Sequence, residues 1–427
     1  MTTEQIKTQC CIVGGGPAGM LLGHILARAG IDVVVLEKHP DFFRDFRGDT
    51  IHAQSLEILH QLGLDEDLLR LPHEKVPYLH NIIESEDMVL ADYTHLKVRH
   101  PFMAVFPQWD FLAFLKSKSI GYPTFHLRMP AAVNKLVCEG NRVAGVYAET
   151  PEGTLMVRAD LVVGCDGRDS TVRSLAGLTN REFGAAIDVM WWRMPRFPED
   201  NTATTLGFNT SATLQVGGAY VRVVRPDHHQ CGYFVSKHAA ADMRSGPIEL
   251  FRREVAELDP VFADRVETLQ SWDDVPLLTV RTSRLKRWFC PGLLCIGDAA
   301  HAMSPTGGVG VNYALQDSVA AANLLVEPLR RGVPTVADLR KVQRRRNPPT
   351  AVTQLIQRIV QDHGLGPVME GKRRGLPKSS LALLRRRWLL PRITGRMEGL
   401  GIRRENVRVN FGDEGPRGAS PSTAASS

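Results

Sequence analysis

Three glycines and one carboxylate near the N-terminus have the types and spacing to hold a dinucleotide. In Cys10–Glu37, CCIVGGGPAGMLLGHILARAGIDVVVLE, an apolar strand runs into the turn Gly14-Gly15-Gly16-Pro17-Ala18-Gly19. Gly14 permits the turn, Gly16 lets the backbone approach a pyrophosphate, and Gly19 lets helix and strand pack closely. The helix that starts there offers unpaired N–H groups and a positive dipole end to phosphates. Glu37 closes the next β-branched strand, where a carboxylate can accept hydrogen bonds from adenosine ribose hydroxyls. It would repel a 2′-phosphate, so this unit predicts FAD or NAD rather than NADP.

Two further turns carry similar signals. Asp166-Gly167 follows a buried strand that ends at Cys165, and Ser170 can cap the short helix beyond it. Alone, this is a strand, a turn and a helix. In Gly292–Leu325 a strand meets Gly297-Asp298, and Ser304-Pro305-Thr306-Gly307-Gly308 opens a long alanine-rich helix. Such a loop presents N–H groups to an anionic ring edge. His301 could be catalytic, although a loop histidine held by backbone contacts is the commoner arrangement. Arg44 and Arg47 lie near the phosphate turn in sequence and suit either a phosphate or open solvent. His52, at a helix start, either faces a substrate or makes a local hydrogen bond.

The elements that must position these residues follow from periodicity. Helices are predicted over Met20–Ala29, Ala53–Gln61, Trp109–Lys118, Ile248–Leu258 and residues 309–325. Short strands are expected over 76–106, then Phe125–Val137, Arg142–Thr150 and Gly153–Arg158. From Phe183 to Val280 the pattern becomes antiparallel, and Trp191 and Trp192 must point to opposite faces of their strand. One can line a pocket while the other packs. LLRRRWLLPRITGRMEGLG mixes apolar and basic residues, as either a packed helix or a peripheral membrane surface would. The tail after Phe411 reads as disordered.

The 427 residues, 43% apolar and 23% charged with a net +6, describe an ordinary globular enzyme and no nucleic-acid-binding fold. No run is long enough to cross a bilayer, the start MTTEQIKTQC has no signal core, and the seven cysteines form no C-x-x-C pair. Cytoplasmic residence is expected, with no metal and no nucleic acid, as a monomer or homodimer.

GGGPAG at 14–19, GCDGRDSTVR at 164–173 and CIGDAAHAMSPTGGVGVNYALQD at 295–317 together resemble the single-component FAD-dependent aromatic hydroxylases, of the para-hydroxybenzoate and ubiquinone-biosynthesis hydroxylase type. The likeness spans roughly residues 8–350. It implies an α/β fold: a Rossmann-like FAD-binding domain interleaved with an antiparallel-sheet substrate domain, and a helical C-terminal region. The FAD-binding parts would be 1–75, 107–180 and 284–345. Substrate-sheet strands would be 76–106 and 181–283, with C-terminal helices over 346–410 and a tail at 411–427.

Carried onto this sequence, the resemblance puts Gly14, Gly16, Pro17, Ala18 and Gly19 on the pyrophosphate. Glu37 and Lys38 fall at the adenosine, Arg47 and Gln108 at the phosphate and ribityl chain, and Val133 beside them. Asp166 and Gly167 would support FAD and the transient nicotinamide cofactor, and Asp298 a ribityl hydroxyl. Pro305, Gly307, Gly308, Val311 and Asn312 would lie along the isoalloxazine. The implied reaction has NADH or NADPH reduce the flavin, after which dioxygen forms a flavin hydroperoxide that hydroxylates an electron-rich small molecule. His52, Tyr220 and Tyr233 are candidates for the base that ionises the substrate, and Pro305, along the isoalloxazine, is a further catalytic candidate. A halogenase would resemble W-x-W-x-I-P, which Trp191-Trp192-Arg193-Met194-Pro195 does not match. A flavin dehydrogenase or oxidase, or a flavoprotein that binds a partner without turnover, stays as an alternative.

Overall fold

The computed structural model describes residues 4–43, 49–83, 86–184, 187–200, 205–209, 218–225, 228–365, 367, 386 and 389–412. Arg44, Arg47 and the polar tail from 413 lie outside these.

A parallel sheet forms from strands that read as near-continuous apolar runs, because helices cover both faces. Its parallel order is Leu293–Cys295, Gly153–Gly164, Glu4–Val13, Val33–Leu36 and Phe125–Arg128. The first strand begins six residues before the apolar run, since Glu4–Lys7 pairs with Leu155–Arg158 while its outer side chains stay in water. Arg142–Thr150 and Ala132–Glu139 extend the sheet antiparallel beside the first half of Gly153–Gly164.

The helix Pro17–Arg28 starts on proline, whose missing N–H costs nothing at that position, and gives way to Gly30 at φ +76°. A Cβ on Gly23 would stand 2.9 Å from the Phe125 ring and 3.0 Å from Val35, so only glycine lets this helix lie on the sheet. The long helix Gly310–Arg331 packs beside it, and both close one core with Leu294, Val163 and Val34.

The second sheet is antiparallel, ordered Thr205–Asn209, Gly218–Val224, His228–Ser236, Ile187–Pro195 and Leu277–Leu278. Register places Tyr220 opposite Tyr233, and Tyr233 opposite Met190. These share a face with Trp192 and bury against Phe251, Val255 and Leu258 of the helix Ile248–Leu258. The strands expected over 76–106 stand apart. Tyr78–Ile83 pairs with Glu86–Asp92, while Met103–Val105 lies between Thr50–Ile51 and Glu74–Val76.

Beyond the helix Val336–Ile359, the segment Leu390–Leu400 is a helix docked on the protein, with Pro391, Gly395, Gly399 and Leu400 buried. A Cβ on Gly395 would come within 2.0 Å of the Asp92 carbonyl oxygen, so helix and strand backbones nearly touch. This is the packed-helix form of the mixed apolar and basic stretch. Among the described residues no helix is long and apolar enough to cross a membrane.

Candidate active site

The three glycine-marked turns meet at one end of the parallel sheet. Gly14, at φ +107°, would drive a Cβ to 2.4 Å from the Cys165 carbonyl oxygen, so the first and second turns are in backbone contact. Gly297 would place one 3.3 Å from Ala18, joining the third turn to the first helix. Gly19 is equally closed, its added Cβ falling 1.9 Å from the Gly14 oxygen. Gly16 differs. No protein atom lies within 4 Å of a Cβ built there, and the helix it begins has no side-chain cap. A first turn that opens only at this glycine, on an uncapped helix start, fits a pyrophosphate.

Glu37 reaches the same turn. Its Oε2 accepts from the Gly15 N–H at 2.8 Å and its Oε1 from the His39 N–H at 3.1 Å, which fixes the carboxylate at the strand end. Lys38 is exposed, and Val133, half-buried, follows Ala131, whose N–H donates to the Glu37 carbonyl at 2.7 Å. Gln108 opens the helix Gln108–Ser119 and donates its N–H to Asp49 Oδ1 at 3.2 Å. Burial pushes the Asp49 carboxyl up to about 6 despite its ion pair with Arg225.

Asp166 is held internally. Its oxygens accept from Ser170 Oγ at 2.5 Å and from the Val172 N–H at 3.0 Å, securing the helix Thr171–Leu175 that Ser170 caps. Gly167, at φ +85° with open space at its Cβ position, is what the turn leaves exposed. Asp298 is half-buried after its strand, and no described residue hydrogen-bonds or ion-pairs with its carboxylate. It is an acceptor still available to a ligand.

The loop before Gly310–Arg331 has Gly307 at φ +77° and Gly308 at φ +60°. The Pro305 carbonyl accepts from the Gly308 N–H at 2.9 Å, and Val311 is half-buried against the main core. Asn312 is committed to protein. Its Oδ1 accepts from the His52 N–H at 2.8 Å and Ser55 Oγ at 2.6 Å, and its Nδ2 donates to the Thr50 and Gly308 carbonyls at 3.2 and 3.4 Å. It therefore fastens the loop to residues 50–55.

The three base candidates separate clearly. Tyr220 donates to Asp259 Oδ2 at 3.2 Å and Tyr233 to Glu254 Oε1 at 3.0 Å, both inside the core between sheet and helices. Burial raises both phenols well beyond their ordinary range. They face away from Val223, whose side of the sheet meets the cluster around Tyr93, so both hydroxyls are committed to the second core. On that other face Trp191 lies over Gly232, where a Cβ would meet its ring at 2.7 Å, while Trp192 packs inward.

His52 stays at the site. Its Nδ1 donates to the Glu398 carbonyl at 2.9 Å, and buried Nε2, 3.7 Å from where a Gly308 Cβ would stand, has no partner among the described residues. Burial pulls its pKa down to about 4, so it is neutral at pH 7 and offers Nε2 as an acceptor. His301 is held by a carboxylate and not by backbone: its Nε2 lies 2.6 Å from buried Asp317 Oδ2. Tyr93 and Glu398 escaped the sequence reading. The one available signal was Gly395 and Gly399 one turn apart, marking a close-packed helix face beside Glu398.

Residues 7–355 match the FAD-binding domain family. The chain belongs to that family. It is 32% identical over 354 residues to the 6-methylpretetramide 4-monooxygenase of Streptomyces rimosus, covering 82% of each chain. Its fold is shared with the anhydrotetracycline hydroxylase OxyS of Streptomyces rimosus, at TM-score 0.70 and 23% identity over 94% of this chain and 77% of that one. It is also shared with PqsL of Pseudomonas aeruginosa, at TM-score 0.70 and 18% identity over 86% and 98% of the two chains. Like its named relatives, this flavoprotein is an FAD-dependent aromatic monooxygenase, with NAD(P)H as the reductant typical of the family.

Proposed function

We propose that this chain hydroxylates a fused-ring, hydroxyl-bearing aromatic compound, using FAD and either NADH or NADPH. The observation that carries the cofactor site is the opening at Gly16 on the same sheet end as the unclaimed Asp298 carboxylate. The substrate class rests on the likeness to an enzyme that acts on 6-methylpretetramide.

In this reading Gly14, Gly16 and Gly19 let the helix start at Pro17 and Ala18 approach the pyrophosphate. Glu37, with Lys38 and Val133 near it, takes the adenosine ribose. Arg47 and Gln108 serve the phosphates and ribityl chain, and Asp298 accepts from a ribityl hydroxyl. Asp166 holds Gly167 in place from behind. Pro305, Gly307, Gly308 and Val311 flank the ring, with Asn312 bracing their loop. Bound there, the flavin supplies electron transfer from NAD(P)H and activation of dioxygen. The protein's share is to orient the aromatic ring under the Trp191 face and to exclude water. A cytoplasmic setting suits the seven free thiols, of which Cys10, Cys11, Cys231 and Cys295 are fully buried.

The test is NADH and NADPH oxidation by the FAD-loaded protein against a panel of mono- and polycyclic phenols, with products weighed by mass spectrometry. A stimulated rate and a product heavier by one oxygen are expected with a polycyclic member. Oxidation of the compound without oxygen insertion would make the protein a dehydrogenase or oxidase instead.

A further inference from the structure

Two hydrogen-bond acceptors without donors converge on the Gly307-Gly308 turn. One is buried His52 Nε2. The other is Glu398 Oε1, 3.0 Å from where a Gly307 Cβ would stand and with no donor among the described residues. Both turn residues are glycines in the left-handed region and add no side chain of their own, and the neighbouring Thr50 hydroxyl is already spent on the Gly308 carbonyl, to which it donates at 3.0 Å. The other Glu398 oxygen is fixed, since Tyr93 donates its hydroxyl to Oε2 at 2.9 Å. Glu398 is half-buried, so Oε1 is open to a partner other than protein. A buried acceptor such as His52 Nε2 is costly unless a donor reaches it, and the half-buried Glu398 Oε1 stands beside the same turn, so a ligand carrying O–H groups fits this spot.

We propose that Glu398 accepts the proton of an aromatic hydroxyl on the substrate, with Tyr93 orienting the carboxylate and His52 Nε2 receiving a second donor. The substrate O–H bond breaks, its electron pair stays on oxygen as an aryl oxide, and the proton forms a new bond to Oε1. No other group changes oxidation state or charge. The aryl oxide is the more electron-rich ring, which is the form a hydroxylase needs.

Burial raises the Glu398 carboxyl to about 7, with the Tyr93 hydrogen bond opposing it, and a base poised near neutral pH is the effective kind. Among the described residues Tyr93 is the titratable group bonded to it, and His52 sits against its backbone carbonyl, the phenol pushed far up and the imidazole pulled down by burial. Asp92, on the strand packed against the helix, pairs with Arg392 at 3.6 Å.

This assignment rests on the hydroxylase reading, and FAD-loaded protein separates the two. Protein that stays colourless with added FAD speaks against that reading, whereas yellow protein puts Glu398 to the test. The probes are 2-naphthol, neutral in water at pH 8, and its methyl ether. At pH 8 the wild type should bind naphthol about tenfold more tightly than the ether. The difference spectrum of the bound phenol should carry the red-shifted aryl oxide band. Both effects should vanish at pH 5.5, and Glu398→Gln should lose both at pH 8. If that variant fails to retain flavin, Tyr93→Phe must weaken the same preference. Equal affinity for naphthol and ether in the wild type, or a preference and band unchanged in Glu398→Gln, would overturn the assignment.

Discussion

At the scale of single residues, the glycines of the first turn are not interchangeable, and their surroundings say how each should fail. Gly16 has φ −74°, which any residue adopts, and open space around its missing side chain. Gly16→Ala should leave the flavin-free protein as stable as the wild type and weaken FAD binding, measured by flavin fluorescence. Gly19→Ala must push against the Gly14 carbonyl and should cost about 1–3 kcal/mol of stability before any ligand is added. If Gly16→Ala bound FAD normally, the pyrophosphate would have to lie elsewhere. Glu398 makes a different forecast. Its folded pKa of about 7 exceeds the ordinary 4.5. Its contribution is therefore fully present below that ordinary value and lost as pH rises through 7. Glu398→Gln should accordingly raise the melting temperature relative to wild type at pH 8 and give no such gain at pH 4. A gain that does not depend on pH would contradict the buried carboxylate.

Helices and strands carry the site by means that only three-dimensional packing reveals. The helix Gly310–Arg331 is stapled by Asp317, whose Oδ2 accepts from the Gly297 N–H at 3.0 Å and binds His301, while its Oδ1 accepts from Arg346 Nε at 2.8 Å. Arg346 continues to Glu405 at 3.3 Å, so one carboxylate ties the third turn to two helices and the C-terminal segment. Burial alone would raise Asp317, but His301 and Arg346 hold it below the ordinary carboxylate range. Its stabilisation is thus complete above that range and fades as pH falls through the lower folded value. Asp317→Asn should cost about 3–5 kcal/mol in denaturant unfolding, because buried Arg346 loses the nearer of its two carboxylates and keeps only Glu405, while His301 loses its charged partner. A loss below 1 kcal/mol would mean the network rearranges freely. Local pattern predicted Ala53–Gln61 and Ile248–Leu258 to the residue, since each carries its own apolar spacing. It could not anticipate that His301 answers to Asp317 or that Tyr220 turns to Asp259, because those partners are chosen by the sheet register and helix crossings.

Over the whole molecule, the legible part of the site was the part built by backbone. Glycine turns at 14–19, 166–167 and 307–308 announce themselves through residue type, whereas Glu398 is placed by a helix 305 residues after Tyr93 and has no local signature. That division has a thermodynamic counterpart. Among the described residues the proposed FAD contacts come from segments of the first core, in which Trp288 is fully buried, while fully buried Trp192 belongs to the second core behind the antiparallel sheet. A ligand that binds only the folded state adds stability by mass action, about 2.7 kcal/mol at a hundredfold excess over its Kd. If the two cores melt semi-independently, FAD should raise the transition reported by Trp288 more than the one reported by Trp192. The near-ultraviolet circular dichroism of wild type minus Trp192→Phe, and of wild type minus Trp288→Phe, followed through melting with and without FAD, isolates each signal from the six tryptophans. Equal shifts would show that the Arg225–Asp49 ion pair and the packing of Val223 against the Tyr93 cluster couple both cores into one cooperative unit, with substrate sheet and flavin site folding together.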